Sequence, residues 1–271
     1  MDRITSLYEK ATGIKVTSIV PLMTGISNKN YLINGVNVMR IKGVFRDPFY
    51  SAKNEHDVET IVAPLHIAPE LIYFNERNGT KITRYIDDAY FLDIYPSNEQ
   101  LVLVAATLKK LHESNAKIRL KFAMFDRLDV YKNDAFERIN PTIESAIIAE
   151  AKKYFDGKHQ VLCHNDVVNG NLLFYENRVS LIDYEYAAMN DPVFDLVSFL
   201  SENDITDERR IHFFLVNYYG DENAIPHEKI KAFYRFLDLL WFYWACMMKR
   251  HLPNPIYQKI ADNKYQRLMK V

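Results

Sequence analysis

The sequence predicts an α+β chain in two lobes, a small β-rich one followed by a larger, mainly helical one, with a cleft between them. Three observations carry that expectation. Short β-prone runs crowd the first third, in KVTSIVPL, KNYLI and NVMRIK. Apolar residues at helical spacing dominate the rest of the chain, in NEQLVLVAATLKKLHES and PTIESAIIAEAKKYF. A length of 271 residues, 48% of them hydrophobic, suffices for two modest cores.

Taken in order, Asn34-Gly35 separates two apolar runs in NYLINGVNVMRIK, and both residues tolerate positive φ, so a hairpin is expected there. A helix comes next, from Ser51, its cap, to about Leu65, with Pro64 stopping it. The runs ELIYF and KITRYI flank the turn NERNG as two further strands. The small lobe then ends near Asp87-Asp88, which gives lobes over 1–87 and 88–271. After the two helical runs come short strands in HNDVVNGNLLFYENRVSLIDYEY, and helices begin near Pro192, Asp207, His227 and Pro255.

Composition excludes several classes of function. With 34 basic against 35 acidic side chains the net charge is −1, so no basic excess points to nucleic acid. MDRITSLYEKATG lacks the apolar run of a signal peptide. The stretch FYRFLDLLWFYWACMM contains Arg235 and Asp238 and is too short to span a bilayer, so a buried helix is expected. Cys163 and Cys246 have no metal-ligand spacing and read as free thiols in a reducing cytoplasm.

The chemistry concentrates between His164 and Tyr186. His164 is followed two residues on by Asp166 and five further by Asn171, and Asp183 comes after a second short strand, VSLI. Strand-bounded loops can bring Asp166, Asn171 and Asp183 together. Hard oxygen donors of this sort suit Mg²⁺ with phosphate oxygens, and a further carboxylate off the metal can take a hydroxyl proton. The bland alternative is that these are ordinary hairpin residues. Upstream, MTGISNKNYLI offers Gly25 for close backbone approach and Ser27 and Asn28 as donors to phosphate, ahead of Arg40 on a strand.

This set of residues resembles the kinase-like superfamily, in the branch of aminoglycoside and choline kinases, where His-x-Asp-x4-Asn precedes an Asp at the end of the next strand. The resemblance implies a two-lobed protein-kinase-like fold with ATP in the cleft, a nucleotide-binding lobe over 1–87 and a catalytic and acceptor-binding lobe over 88–271. It further implies Asp166 as catalytic base, Asn171 and Asp183 as Mg²⁺ ligands, and His164 and Asp195 as residues bracing the loop. Gly25, Ser27, Asn28 and Arg40 would hold phosphate, and Glu55 would pair with Arg40. Lys53 and Glu59 are left as surface charges.

LIDYEYAAMNDPVFDLVSFLSEN looks like the choline kinase signature. The likeness implies a cation site from Tyr186, Glu202, Trp241 and Trp244, with Asp166 beside it and Tyr265 in NKYQRLMK completing it. A quaternary ammonium needs aromatic faces and a nearby carboxylate, whereas Trp-x-x-Trp in an apolar helix is otherwise plain core. There are departures. The phosphate loop has one glycine where relatives often have two, and Asp207 stands where animal choline kinases carry a tyrosine. Tyr184-Glu185 comes after Asp183 in place of Phe-Gly, which speaks against a peptide substrate. The expected activity is ATP-dependent phosphorylation of a small molecule, choline. Another small alcohol (ethanolamine, an aminoglycoside or a sugar alcohol) is the alternative, ahead of an inactive nucleotide-binding module.

Overall fold

The computed structural model describes residues 2–22, 28–43 and 47–270. The chain divides by packing into two compact units, 1–111 with 169–187, and 112–168 with 188–271. This division sets 88–111 and 169–187 with the N-terminal sheet, whereas the expected lobe boundary fell after Asp87.

The first unit is built on a five-stranded antiparallel sheet. Its strands are β1 (Ile19–Leu22), β2 (Lys29–Ile33), β3 (Asn37–Ile41), β4 (Leu71–Asn75) and β5 (Thr80–Arg84), in the order β1-β2-β3-β5-β4. The hairpin between β2 and β3 turns at Asn34 and Gly35, both at positive φ (56° and 69°), as the dipeptide requires. Helix α1 (Asp2–Thr12), which the strand-rich reading of this region passed over, places Tyr8 against Ile33, Met39 and Ile82. Those residues form the core on one face of the sheet.

Strand alternation then decides what the other face carries. Met39 pairs with Ile82 across β3 and β5, and the next pair in register is Arg40 with Lys81. With Met39 and Ile82 in the α1 core, Arg40 and Lys81 point the opposite way. There they meet helix α2 (Ala52–Val62), which Ser51 caps by accepting from the Asn54 N–H at 3.2 Å. A short 3-10 turn, Ala63–Leu65, ends it at Pro64. Helix α3 (Asn98–His112) and the hairpin of Leu172–Tyr175 with Arg178–Leu181 complete the unit. The Leu181 N–H donates to the Ile67 carbonyl at 2.8 Å, tying the hairpin to the segment after α2.

The second unit is helical. It contains α4 (Met124–Asp134), α5 (Pro141–Tyr154), α6 (Val193–Glu202), α7 (Glu208–Tyr219), α8 (His227–His251) and α9 (Pro255–Met269). The apolar stretch of α8 is the axis of its core: α4, α5, α6 and α9 all pack against it. Among the described residues no helix is long and apolar enough to cross a membrane. Asp207 is the cap of α7, accepting from the N–H groups of Arg209 and Arg210, and Gly220 closes that helix at φ 77°. A tyrosine there could not cap, so the sequence departure at Asp207 has a local structural use. Strands Val161–Cys163 and Ala188–Asn190 pair antiparallel beside α6 in the chain. Cys163 and Cys246 are free and buried.

Candidate functional site

In the first unit the sheet face bearing Arg40 collects a charged cluster. The Arg40 guanidinium donates to Glu55 at 2.7 Å, to Asp183 at 2.6 Å and to the Gly79 carbonyl at 3.0 Å. Lys81 reaches Glu59 at 2.5 Å and Glu55 at 3.1 Å. Glu55 is wholly buried, as the expected pairing with Arg40 demands. Glu59 corrects the sequence reading: it is 3% exposed and paired with Lys81, not a surface charge. The i, i+4 spacing of Glu55 and Glu59 on one face of α2 was the signal that could have found it. Lys53 is exposed, pairing with Asp57 along the helix surface.

The electrostatics arise from this packing. Burial works against the Arg40 charge, but the carboxylates of Glu55 and Asp183 outweigh it and raise its pKa above the usual arginine value. Burial likewise works against ionised Glu55, and Arg40 with Lys81 overcomes it, holding the carboxyl well below its ordinary range. Asp183 is depressed in the same way, against burial, by Arg40 first and then Lys81. Both acids are therefore charged at neutral pH.

Asp183 sits just past the hairpin with φ 64°, a left-handed turn that swings its carboxylate back toward the sheet. Its second oxygen accepts from Asn28 Nδ2 at 3.2 Å. Asn171 ends the 3-10 turn before the hairpin, and its backbone carbonyl accepts from the Ile182 N–H at 3.0 Å, which sets the two candidate metal ligands at the same open end of the hairpin. Asn171 is 8% exposed. An amide oxygen beside a carboxylate held ionised is a donor set that fits Mg²⁺. Two residues beyond Asp183, Glu185 forms an ion pair with Lys42, whose ammonium also lies over the Tyr50 ring, 4.1 Å from its centroid. Gly25 and Ser27 lie outside the described residues.

Next to this cluster is a cavity of about 250 Å³ within the first unit. Leu22, Val38, Leu173 and Ile182 supply apolar walls, and Arg40 and Asp183 a charged end. Such a shape takes a flat apolar group carrying an anion.

In the second unit a carboxylate anchors the start of the loop after Cys163, alongside Ser198, Asn190 and Asn203. Asp195, buried at the start of α6, accepts from the backbone N–H of His164 at 2.8 Å and of Asn165 at 2.7 Å. His112 Nε2 lies 2.9 Å from Asp195, and its Nδ1 lies 2.7 Å from the Tyr218 hydroxyl. His164 is wholly buried, and Asn165 adopts φ 65°. Asp166 is half-buried between the buried Asn165 and Val167. The sequence reading foresaw Asp195 but not His112 or Tyr218, whose distance along the chain gives no periodic signal.

The aromatic residues of α8 are partly core. Trp241 and Trp244 meet edge to face with centroids 5.6 Å apart. Trp241 is 6% exposed, while Trp244 is half-buried and also packs on Tyr257 at 5.7 Å. Tyr265 is 45% exposed and its ring neighbour is Phe242, at 6.1 Å. Tyr186 is buried in the first unit, in a 3-10 turn from Tyr184. Glu202, at the end of α6, pairs with the buried Lys264 at 2.5 Å, a partner that the sequence reading missed.

Comparison with known proteins places this geometry among others. Residues 18–226 match the phosphotransferase enzyme family. Protein LicA of Haemophilus influenzae is 28% identical over 252 residues, covering 84% of this chain and 92% of its own. The choline kinase LicA from Streptococcus pneumoniae superposes with a TM-score of 0.86 at 23% identity, over 100% of this chain and 98% of that one. A LicA structure in complex with AMP gives 0.82 at 22% identity, over 98% and 97%. The fold is protein-kinase-like, with a five-stranded antiparallel sheet in one part and helices in the other.

Proposed function

The chain belongs to the phosphotransferase enzyme family, and from that premise we propose that it transfers the γ-phosphoryl group of ATP to the hydroxyl of a small cationic alcohol, choline. The observation that carries the nucleotide half of this reading is the contact of Arg40 with both Glu55 and Asp183 at the charged end of an apolar cavity. The acceptor half is supported by the likeness to LicA proteins and by the tryptophan pair on α8.

In this reading the apolar walls of the cavity take the purine, and Arg40 takes phosphate oxygens while Glu55 keeps its fork aimed. Gly25 permits close backbone approach, and Ser27 and Asn28 donate to phosphate oxygens. Asn171 and Asp183 would hold Mg²⁺, which would supply charge neutralisation at the transferred phosphate. Asp166 orients the acceptor hydroxyl and receives its proton, and Asp195 and His164 keep its loop in place. Trp241, Trp244, Tyr186 and Tyr265 give the cation aromatic faces, and Glu202 gives it a counter-charge. Catalysis is then chiefly positioning and charge stabilisation. The nucleotide-binding role falls to the sheet of residues 1–87 and the acceptor role to residues within 88–271.

The test is ADP release from purified protein with Mg-ATP and choline, ethanolamine or no acceptor. Turnover with choline well above ethanolamine supports the reading, and turnover with neither overturns the acceptor assignment.

A further inference from the structure

The charge around Glu202 is not arranged as a bare counter-ion would be. Lys264, on α9, is 3% exposed, and its ammonium has Glu202 Oε1 at 2.5 Å, Asp238 Oδ1 at 3.0 Å and Ser201 Oγ at 3.3 Å. An ammonium has three N–H donors, so this one is saturated inside the protein. Arg267, nearly one turn further along α9, donates to Asp238 Oδ2 at 3.0 Å and to Ser201 Oγ at 2.7 Å. Asp238 thus has both oxygens committed. Glu202 does not: Oε1 accepts from Lys264 and Ser201, while Oε2 makes no hydrogen bond among the described residues, and the side chain is 16% exposed.

We propose that Lys264 sets the class of acceptor, making the site favour a quaternary ammonium over a primary one by occupying one oxygen of Glu202 and cancelling part of its charge. The inference rests on the reading of the protein as a kinase of a small cationic alcohol. A primary ammonium brings three N–H donors, and each must find an acceptor once water is removed. Glu202 has one oxygen left to offer it, and tryptophan faces are poor substitutes for the other two. A quaternary ammonium brings no N–H at all. It needs only aromatic faces and a weak negative field, which Trp241, Trp244 and a half-neutralised Glu202 can provide. Discrimination thus comes from withholding hydrogen-bond acceptors, with no need for a steric block.

The experiment measures kcat/KM for choline and ethanolamine, and KM for ATP, in the wild-type full chain and in Lys264→Met. The choline-to-ethanolamine ratio should fall by roughly tenfold in the variant, mainly through the acceptor KM. KM for ATP should stay unchanged. A merely structural role would depress both acceptors alike, so an unchanged ratio overturns the proposal. Should the variant fail to fold, Lys264→Met with Asp238→Asn removes the stranded carboxylate and carries the same expectation. The wild type alone supplies a second measurement: tetramethylammonium should compete with acceptor about tenfold more tightly than methylammonium, and equal competition overturns the proposal. A wild type that phosphorylates neither alcohol overturns the acceptor assignment together with this inference. A choline-selective wild type whose ratio survives Lys264→Met removes only the present inference.

Discussion

Arg40 and Asp183 lie 143 residues apart in sequence and 2.6 Å apart in space, and the same guanidinium also holds Glu55. One buried cation therefore joins β3, α2 and the end of the 172–181 hairpin. Replacing it with an apolar side chain strands two carboxylates. Arg40→Met should cost about 3–5 kcal/mol, the range seen when one partner of a buried pair is removed. Urea unfolding checks the stability. Phosphoryl transfer should fall with it, through a higher KM for ATP, if the guanidinium also meets phosphate. Arg40→Lys should recover part of the stability but not the two-sided grip.

Acid should reveal the same cluster. Burial opposes ionisation of Glu55, but Arg40 and then Lys81 pull its pKa below the ordinary 4.5. A carboxyl depressed on folding gives stability that is complete above the unfolded value and lost as pH falls through the folded one. The difference in Tm between wild type and Glu55→Gln should hold steady down to about pH 5 and shrink below about pH 4. A difference that shrinks between neutrality and pH 5 would contradict the depressed pKa.

Asp166 carries the sharpest catalytic prediction. In its proposed role as acceptor of the hydroxyl proton it should be needed for turnover and dispensable for nucleotide binding. Asp166→Ala should lower kcat by about 10²–10⁴-fold while the Kd for ATP, read by calorimetry, stays put. Substantial residual turnover would sink the assigned role.

Asp195 should act on the same step from a distance. Asp195→Ala leaves the N–H groups of His164 and Asn165, and His112 Nε2, without their acceptor. The loss should be about 3 kcal/mol of stability, with kcat falling more than KM for ATP rises. Amide exchange at residues 164–166 should quicken locally; unchanged protection there would show that the loop stands without Asp195.

The two tryptophans should separate. Trp241 is nearly buried, so Trp241→Ala should destabilise by about 3–5 kcal/mol as a core truncation. Trp244 is half-buried, and Trp244→Ala should raise the acceptor KM by roughly tenfold, as Trp241→Ala also should, but with little loss of stability and with ATP binding unaffected. If Trp244→Ala moves the two KM values equally, the pair is core and the cation is held elsewhere.

What the sequence revealed and what it hid divide along a physical line. Local chemistry was readable: Asn34-Gly35 turns the hairpin, Ser51 caps α2, and Asp195 lies where it can brace the loop. Each depends on residues a few positions apart or on a motif of fixed spacing. Hidden were the charges whose burial depends on distant partners. Glu59 and Lys53 share one helix; the i, i+4 spacing puts Glu59 on the face of Glu55, but its partner Lys81 comes from a distant strand, while Lys53 faces solvent. Lys264 in NKYQRLMK reads as a solvated helix lysine until α6 and α8 are placed beside it. Helix α1 was missed because its core contacts, centred on Tyr8, come from strands later in the chain.

The first unit is closed by residues 169–187, more than fifty positions after α3. A ribosome making this chain will have released the whole sheet while Asp183 and the strand that ties Leu181 to Ile67 are still untranslated. The nascent sheet then waits with Arg40 held by Glu55 and the Gly79 carbonyl but without Asp183, and with the surface that will receive the hairpin still open to water. A fragment ending at residue 111 should therefore be retained by chaperones and cleaved readily by proteases. Adding residues 169–187 in trans would be the way to rescue it.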